Sequence, residues 1–157
     1  MENYKISENF NFSELVISPT AIRLQIDNTP STPRITTNLE SIVIHLLQPI
    51  RDHLGEPIKI TSGYRSPRLN QAIGGSNKSQ HTKGEALDVV VFDGENSKIF
   101  NAVLLLELDF DQMIWEKGDN YNPDWVHLSY KHDGGNRNQI LRFWGNGRYT
   151  DITNDYN

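Results

Sequence analysis

An apolar stripe at helical spacing between residues 38 and 54 constrains the fold of this chain more than any other feature of its sequence. Its positions are Leu39, Ile42, Val43, Leu46, Leu47, Ile50 and Leu54. Thr37, followed three residues later by Glu40, forms a capping-box pattern that opens the helix, and Gly55 closes it. Such a helix must bury its apolar face, so the pattern predicts a helix packed on a sheet. Pro49 removes one backbone donor and predicts a kink.

Apolar runs elsewhere in the chain predict the strands of that sheet. The run LDVVVF at 87–92 is β-branched and suits a central strand, and the alternation at 57–61 suits a half-buried one. The runs 110–116 and 125–130 are predicted to form an antiparallel hairpin, because a loop rich in Gly, Asn and Asp separates them. An edge strand is expected at 139–144, followed by a polar tail.

Shorter helices are predicted at 10–25, 66–74 and 97–108, with Ser13 as the first cap and Pro19 as the first stop. The order of elements indicates an α+β fold with a central antiparallel sheet flanked by helices. The chain has 157 residues, which fits a single domain over 1–157.

The composition excludes several classes of protein. The net charge is −5 and the basic residues are scattered, which argues against nucleic acid as a partner. No apolar run approaches the roughly 20 residues that span a bilayer, so membrane insertion is not expected. Residues 1–12 are polar and acidic, and we expect no signal peptide. The absence of cysteine excludes thiolate ligands and leaves the compartment open. A monomer is the expected state.

Two histidines and an aspartate form a candidate metal site. His81 lies in a flexible loop and Asp88 at the start of an apolar strand, while strand alternation places His127 on one face with Trp125 and Ser129. Two His and one carboxylate leave a position for water, which is the arrangement of a catalytic zinc site. Zinc lowers the pKa of bound water towards about 7 and polarises carbonyls, so the chemistry indicated is amide hydrolysis.

Three segments of the chain together resemble a known family. They are Ser62-Gly-Tyr-Arg-Ser-Pro67, Ser79-Gln-His-Thr-Lys-Gly-Glu-Ala-Leu-Asp88 and Trp125-Val-His127. In sequence and order they are similar to the substrate-arginine segment, the S-x-H-x-x-G-x-A-x-D signature and the last ligand segment of the zinc D-Ala-D-Ala carboxypeptidases and related L-alanyl-D-glutamate endopeptidases. The metal core of these enzymes recurs in hedgehog signalling domains. The resemblance covers roughly residues 35–130.

This resemblance implies a hedgehog-like fold, a Zn²⁺ cofactor and the roles of individual residues. His81, Asp88 and His127 become the zinc ligands. Arg65 would bind or polarise the substrate carbonyl, and Ser79 would contact substrate. Tyr64 and Trp125 are candidates for the pocket wall. The substrate implied is the peptide stem of bacterial peptidoglycan.

The general base has two candidates, Glu116 and Asp124. The family often places an acidic residue three positions before the last His, where this chain has Asp124. In a regular strand Asp124 would face away from His127, whereas Glu116 shares its face if paired positions in the hairpin sum to an odd number. The family form with an Ile-Trp-Glu strand also matches Ile114-Trp115-Glu116. Both arguments favour Glu116 and leave Asp124 as the alternative.

The sequence leaves open which bond in the stem is cut. Removal of a terminal D-Ala and cleavage of the L-Ala-D-Glu bond, as in a phage endolysin, are both consistent with the motifs. A binding module that keeps the zinc site without hydrolysis is a further alternative, since the hedgehog relationship permits it.

Overall fold

The computed structural model describes residues 2–157 and has one large sheet at its centre. The strands are β1 (Lys5–Ser7), β2 (Phe10–Asn11), β3 (Ile58–Ser62), β4 (Ala86–Val91), β5 (Gln112–Glu116), β6 (Trp125–Ser129), β7 (Gln139–Gly145) and β8 (Arg148–Asp151). The first two pair with each other, and the others form a six-stranded sheet in the order β3-β4-β6-β5-β7-β8.

Six α-helices and three other helical turns accompany these strands within residues 2–157. The α-helices are α1 (Ser13–Val16), α2 (Pro19–Arg23), α3 (Pro33–Ile42), α4 (Gln48–Leu54), α5 (Pro67–Ala72) and α6 (Ser97–Leu105). A π-helical turn, Val43–Leu47, joins α3 to α4, and the 3₁₀ turns are Gln80–Lys83 and Thr153–Tyr156. Within the same residues, no helix combines the length and apolar character needed to cross a membrane.

The predicted α+β fold and the β5–β6 antiparallel hairpin are confirmed. The sheet is mixed rather than antiparallel throughout, because β5 pairs with β7 in parallel. The expectation that residues 139–144 form the edge is wrong, since β8 pairs with β7 and lies outside it. Asn146 and Gly147 both have positive φ and turn the chain back. Because the residues of β8 are all exposed, this strand carries no apolar pattern that marks it in the sequence.

The long helical segment begins earlier than its apolar stripe indicates. Thr32 caps it, with Oγ1 accepting a hydrogen bond from the backbone N–H of Ile35 at 3.3 Å, and Pro33 occupies the first turn. The capping box predicted at Thr37 is therefore wrong. In place of a simple kink at Pro49, the π-helical turn ends just before it, where the Gln48 N–H donates to the Val43 carbonyl five residues back. Helix bending before a proline is an expected response to its missing N–H.

The N-terminal helix predicted at 10–25 is divided into α1 and α2. α1 ends at Val16, before the predicted stop, but Pro19 then opens α2 rather than ending a helix. The hydroxyl of Ser18 accepts a hydrogen bond from Ala21 N–H at 3.1 Å and caps this second helix.

Strand alternation gives the sheet one buried face and one open face. The core-side residues of the four central strands pack with α3, α4 and α6 in one apolar cluster; they include Leu87, Val89, Met113, Trp115, Val126, Leu128 and Ile140. The alternate positions point away from this cluster, onto the opposite face of the sheet. That open face carries the polar residues that the sequence marks as functional.

Candidate active site

Strand register places Asp88 and His127 side by side on the open face. They are directly opposite each other in the antiparallel β4–β6 pair, so their side chains leave the same side of the sheet. Asp88 Oδ1 lies 3.1 Å from His127 Nδ1. Both side chains are largely shielded from solvent, at 12% and 13% exposure.

His81 reaches the same point from the 3₁₀ turn Gln80–Lys83. Its Nδ1 donates a hydrogen bond to the Gly63 carbonyl at 2.9 Å, which leaves Nε2 directed at Asp88 Oδ2, 3.5 Å away. Only glycine fits at position 63, because a Cβ there would lie 2.1 Å from the Leu15 carbonyl oxygen. Burial lowers the pKa of His81, which favours the neutral imidazole that binds metals.

The three side chains fit a zinc ion. One ligand atom from each of His81, Asp88 and His127 lies within 4.8 Å of the others. Ligands held about 2.1 Å from a tetrahedral ion lie about 3.4 Å apart, close to the separations between the Asp88 carboxylate and the two imidazoles. Burial opposes ionisation of Asp88, but the neighbouring imidazoles of His127 and His81 outweigh it and hold the pKa of this carboxyl well below its usual range. One carboxylate and two histidine nitrogens are donors that zinc binds in catalytic sites.

Arg65 lies beside this group. Its Nη2 is 3.7 Å from Asp88 Oδ2, while Nε donates to Ser62 Oγ at 3.2 Å and Nη1 to Asn70 Oδ1 at 3.4 Å. Its backbone N–H donates to the His81 carbonyl at 3.1 Å, which links the arginine loop to the histidine turn. The guanidinium is thus held at the edge of the site with part of its donor capacity free.

Glu116 and Asp124 occupy different environments. Glu116 pairs with Trp125, so the residue numbers of paired positions in the hairpin sum to an odd number. In this register Glu116 shares the open face with His127. Burial raises the pKa of Glu116 to about 7, with the Asp88 carboxylate adding to the increase and His127 opposing it. Asp124 is exposed, and its carboxylate does not line the cleft around His127. Its backbone N–H donates to the Glu116 carbonyl at 2.9 Å, at the mouth of the hairpin.

The metal group, Arg65 and Glu116 line one open cleft of about 510 Å³. Ser79 and Trp125, two of the predicted substrate-binding residues, also line it. The structure does not bring Tyr64 there: this side chain is only 2% exposed and lines a separate cavity beside α2 and α5.

One wall of the cleft is formed by residues of β7 and β8 that the sequence does not mark as functional. Leu141 and Phe143 come from β7 and Tyr149 from β8. The rings of Phe143 and Tyr149 pack against each other with centroids 4.6 Å apart. The parallel β5–β7 register sets Ile114 against Leu141 and Glu116 against Phe143, so this wall stands directly beside the general-base candidate. Alternation of residue types within 139–143 indicates that Leu141 and Phe143 share one face of their strand. It does not indicate which strand lies next to it.

Comparison with known families places most of the chain in one of them. The model of the family described as Peptidase M15 matches residues 8–129. A search of curated proteins finds no match. The matched region contains His81, Asp88, His127, Arg65 and Glu116, and it ends before β7 and β8.

Proposed function

Because the chain belongs to the peptidase M15 family and is a zinc metallopeptidase, we propose that it hydrolyses the peptide stems of bacterial peptidoglycan. We further propose that it acts as a D-Ala-D-Ala carboxypeptidase. The observation that carries this proposal is the shared face of His127 and Glu116. A buried carboxyl group with a pKa raised to about 7 stands in the same cleft as a group of zinc-binding donors.

We assign each residue in the cleft a separate role. A zinc ion bound by His81, Asp88 and His127 would polarise the scissile carbonyl and increase the acidity of a water molecule. Glu116 accepts a proton from the water molecule as the water oxygen attacks the carbonyl carbon. Glu116 then delivers this proton to the departing amine. Arg65 donates hydrogen bonds to the carbonyl oxygen as negative charge develops on it. The C–N bond breaks, and the products are a carboxylate and an amine.

Two basic side chains support the carboxypeptidase form of the proposal. Arg65 and Lys78 are the basic residues among those that line the cleft. A terminal carboxylate next to the scissile bond would find a complementary charge there. An endopeptidase that cuts the L-Ala-D-Glu bond is the alternative.

The decisive experiment is incubation of the zinc-loaded protein with purified peptidoglycan, followed by mass analysis of the soluble products. Release of D-alanine is the expected result, whereas fragments that begin with D-Glu would identify the endopeptidase. Chelation of the metal should abolish either product, and zinc should restore it. If zinc-loaded protein binds the wall but releases nothing, the binding-module alternative replaces our proposal.

A further inference from the structure

A second cavity, of about 390 Å³, adjoins the cleft and is rich in basic side chains. Lys78 and Gln80 line both cavities, so the two lie side by side. Five basic side chains face this second cavity against two carboxylates; the basic ones are Arg34, Lys78, Lys83, Lys131 and Arg137. The chain as a whole has a net charge of −5, so this concentration of positive charge is local.

Part of this charge is already neutralised by the protein. Asp111 is fully buried beneath the cavity and binds Arg137 through Nε at 2.9 Å and Nη2 at 2.8 Å. Lys131 Nζ lies 3.6 Å from the same carboxylate, and Arg34 pairs with Asp133. These contacts give three of the five cations a structural role.

The other two cations, Lys78 and Lys83, are available to a ligand. Both are exposed, and neither forms an ion pair with any residue in the range 2–157. The backbone at Lys83 is held in place, because Asn38 Nδ2 donates a hydrogen bond to the Lys83 carbonyl at 2.8 Å. The Gln80 side chain between the cavities is also held, by its 2.9 Å hydrogen bond to Asp111. Hydrogen bonds therefore fix the Lys83 backbone and the Gln80 side chain that lies between the two cavities.

We propose that this basic cavity is a second substrate subsite, which binds a free carboxylate of the same peptide whose amide bond lies in the cleft. The inference rests on the proposed function. The part of the peptide on the amino side of the scissile bond continues past Gln80, which lines both cavities, and meets Lys83. The two carboxylates of the lining, Glu85 and Asp133, disfavour a dense polyanion such as nucleic acid and suit a peptide with one or two acidic groups.

The test uses two stem pentapeptides that end in D-Ala-D-Ala and differ only at D-Glu, which carries either a free α-carboxylate or a carboxamide. In zinc-loaded protein, Lys83→Gln should raise KM for the free acid about three- to tenfold and leave KM for the amide unchanged. The difference should vanish at 1 M salt, where the screening length is about 3 Å. Lys59→Gln is the matched control, because Lys59 is an exposed lysine that lines neither cavity.

A binding measurement separates failure of the subsite from failure of the proposed function. Calorimetry with zinc-loaded Glu116→Gln protein should show tighter binding of the free acid than of the amide, and Lys83→Gln should remove that preference. Equal affinities for the two peptides would overturn the subsite even where cleavage occurs. A preserved preference without cleavage by the wild type would overturn the proposed hydrolysis and leave the subsite standing.

Discussion

Glu116 and His127 project from the same face of the sheet, because β5 and β6 pair with Ile114 opposite His127 and Trp125 opposite Glu116. A shift of that register by one residue would turn Glu116 into the apolar core beside the helices. The hairpin register is therefore what joins the carboxyl group to the metal-binding donors. It also separates Glu116 from Asp124, which lies at the exposed end of the same hairpin.

Replacement of Glu116 by Gln should lower kcat by a factor of about 10² to 10⁴, because the cleft loses its proton acceptor. Zinc content should stay at the wild-type level, since Glu116 is not among the candidate ligands. Asp124→Asn is the matched control and should change kcat less than about threefold, because its exposed carboxylate lies outside the cleft and out of reach of the reacting water. Kinetics on a stem pentapeptide, with metal analysis of each variant, measure both effects. A large loss in Asp124→Asn alone would make that residue the base.

The same carboxyl group should make the stability of the metal-free protein depend on pH. The pKa of Glu116 is about 7 in the folded state, against an ordinary value of 4.5. The folded state therefore holds this proton longer than the unfolded state, and stability is lost as pH rises from about 4.5 to 7. Glu116→Gln should remove that loss. Its free energy of unfolding should exceed that of the wild type by on the order of 1–3 kcal/mol at pH 8 and by little at pH 4.

Urea denaturation in the presence of a chelator, at several pH values, measures this difference. An advantage of Glu116→Gln that stays constant from pH 4 to pH 8 would contradict the assignment. Gains in stability on removal of a catalytic group are common, because such groups are held in environments that oppose their charged form.

Asp111 should contribute to stability in the opposite pH range. Burial opposes ionisation of Asp111, but hydrogen bonds from Arg137 and Gln80 outweigh it and lower its pKa to about 2. A depressed carboxyl pKa stabilises the fold above the ordinary value of 3.8, and this contribution is lost as pH falls towards 2. Asp111→Asn should therefore lower the free energy of unfolding by about 2 kcal/mol at pH 7 and by progressively less below pH 4.

Denaturation of wild type and Asp111→Asn at pH 7 and at pH 3 tests this expectation. Asp155→Asn serves as a control, since Asp155 is an exposed acid of the 3₁₀ turn Thr153–Tyr156. An equal cost of Asp111→Asn at both pH values would show that shape, not charge, accounts for the effect.

The sequence predicts the parts of the site that depend on local spacing. His81 and Asp88 belong to one continuous motif, and two-residue periodicity is enough to place His127 and Glu116 on a common face once the hairpin is assumed. The position of Tyr64 is different, because loop residues have no fixed periodicity. Its neighbour Arg65 points to the cleft while the Tyr64 ring turns into the core.

Non-local pairing limits what the sequence can predict about the rest of the cleft. The parallel β5–β7 pair joins strands that are separated by β6 in the chain, and no local pattern specifies such a neighbour. The basic cavity depends in turn on the buried Asp111, whose partner Arg137 lies 26 positions away. Scattered basic residues in the sequence thus become a local cluster only through the fold.

Tyr149 provides the last prediction, because it forms part of a wall outside the region that matches the family. Partial desolvation against the cleft wall and the nearby carboxylates of Glu116 and Asp88 raise the pKa of its phenol, so the ring remains neutral at neutral pH. Tyr149→Ala removes a ring that packs on Phe143 and should raise KM for a stem pentapeptide about three- to tenfold. Tyr149→Phe keeps the ring and should change KM less than about twofold. Tyr121→Ala, at a residue that is 86% exposed, is the control. Equal effects of the Phe and Ala variants would show that the hydroxyl, rather than the ring, contacts the substrate.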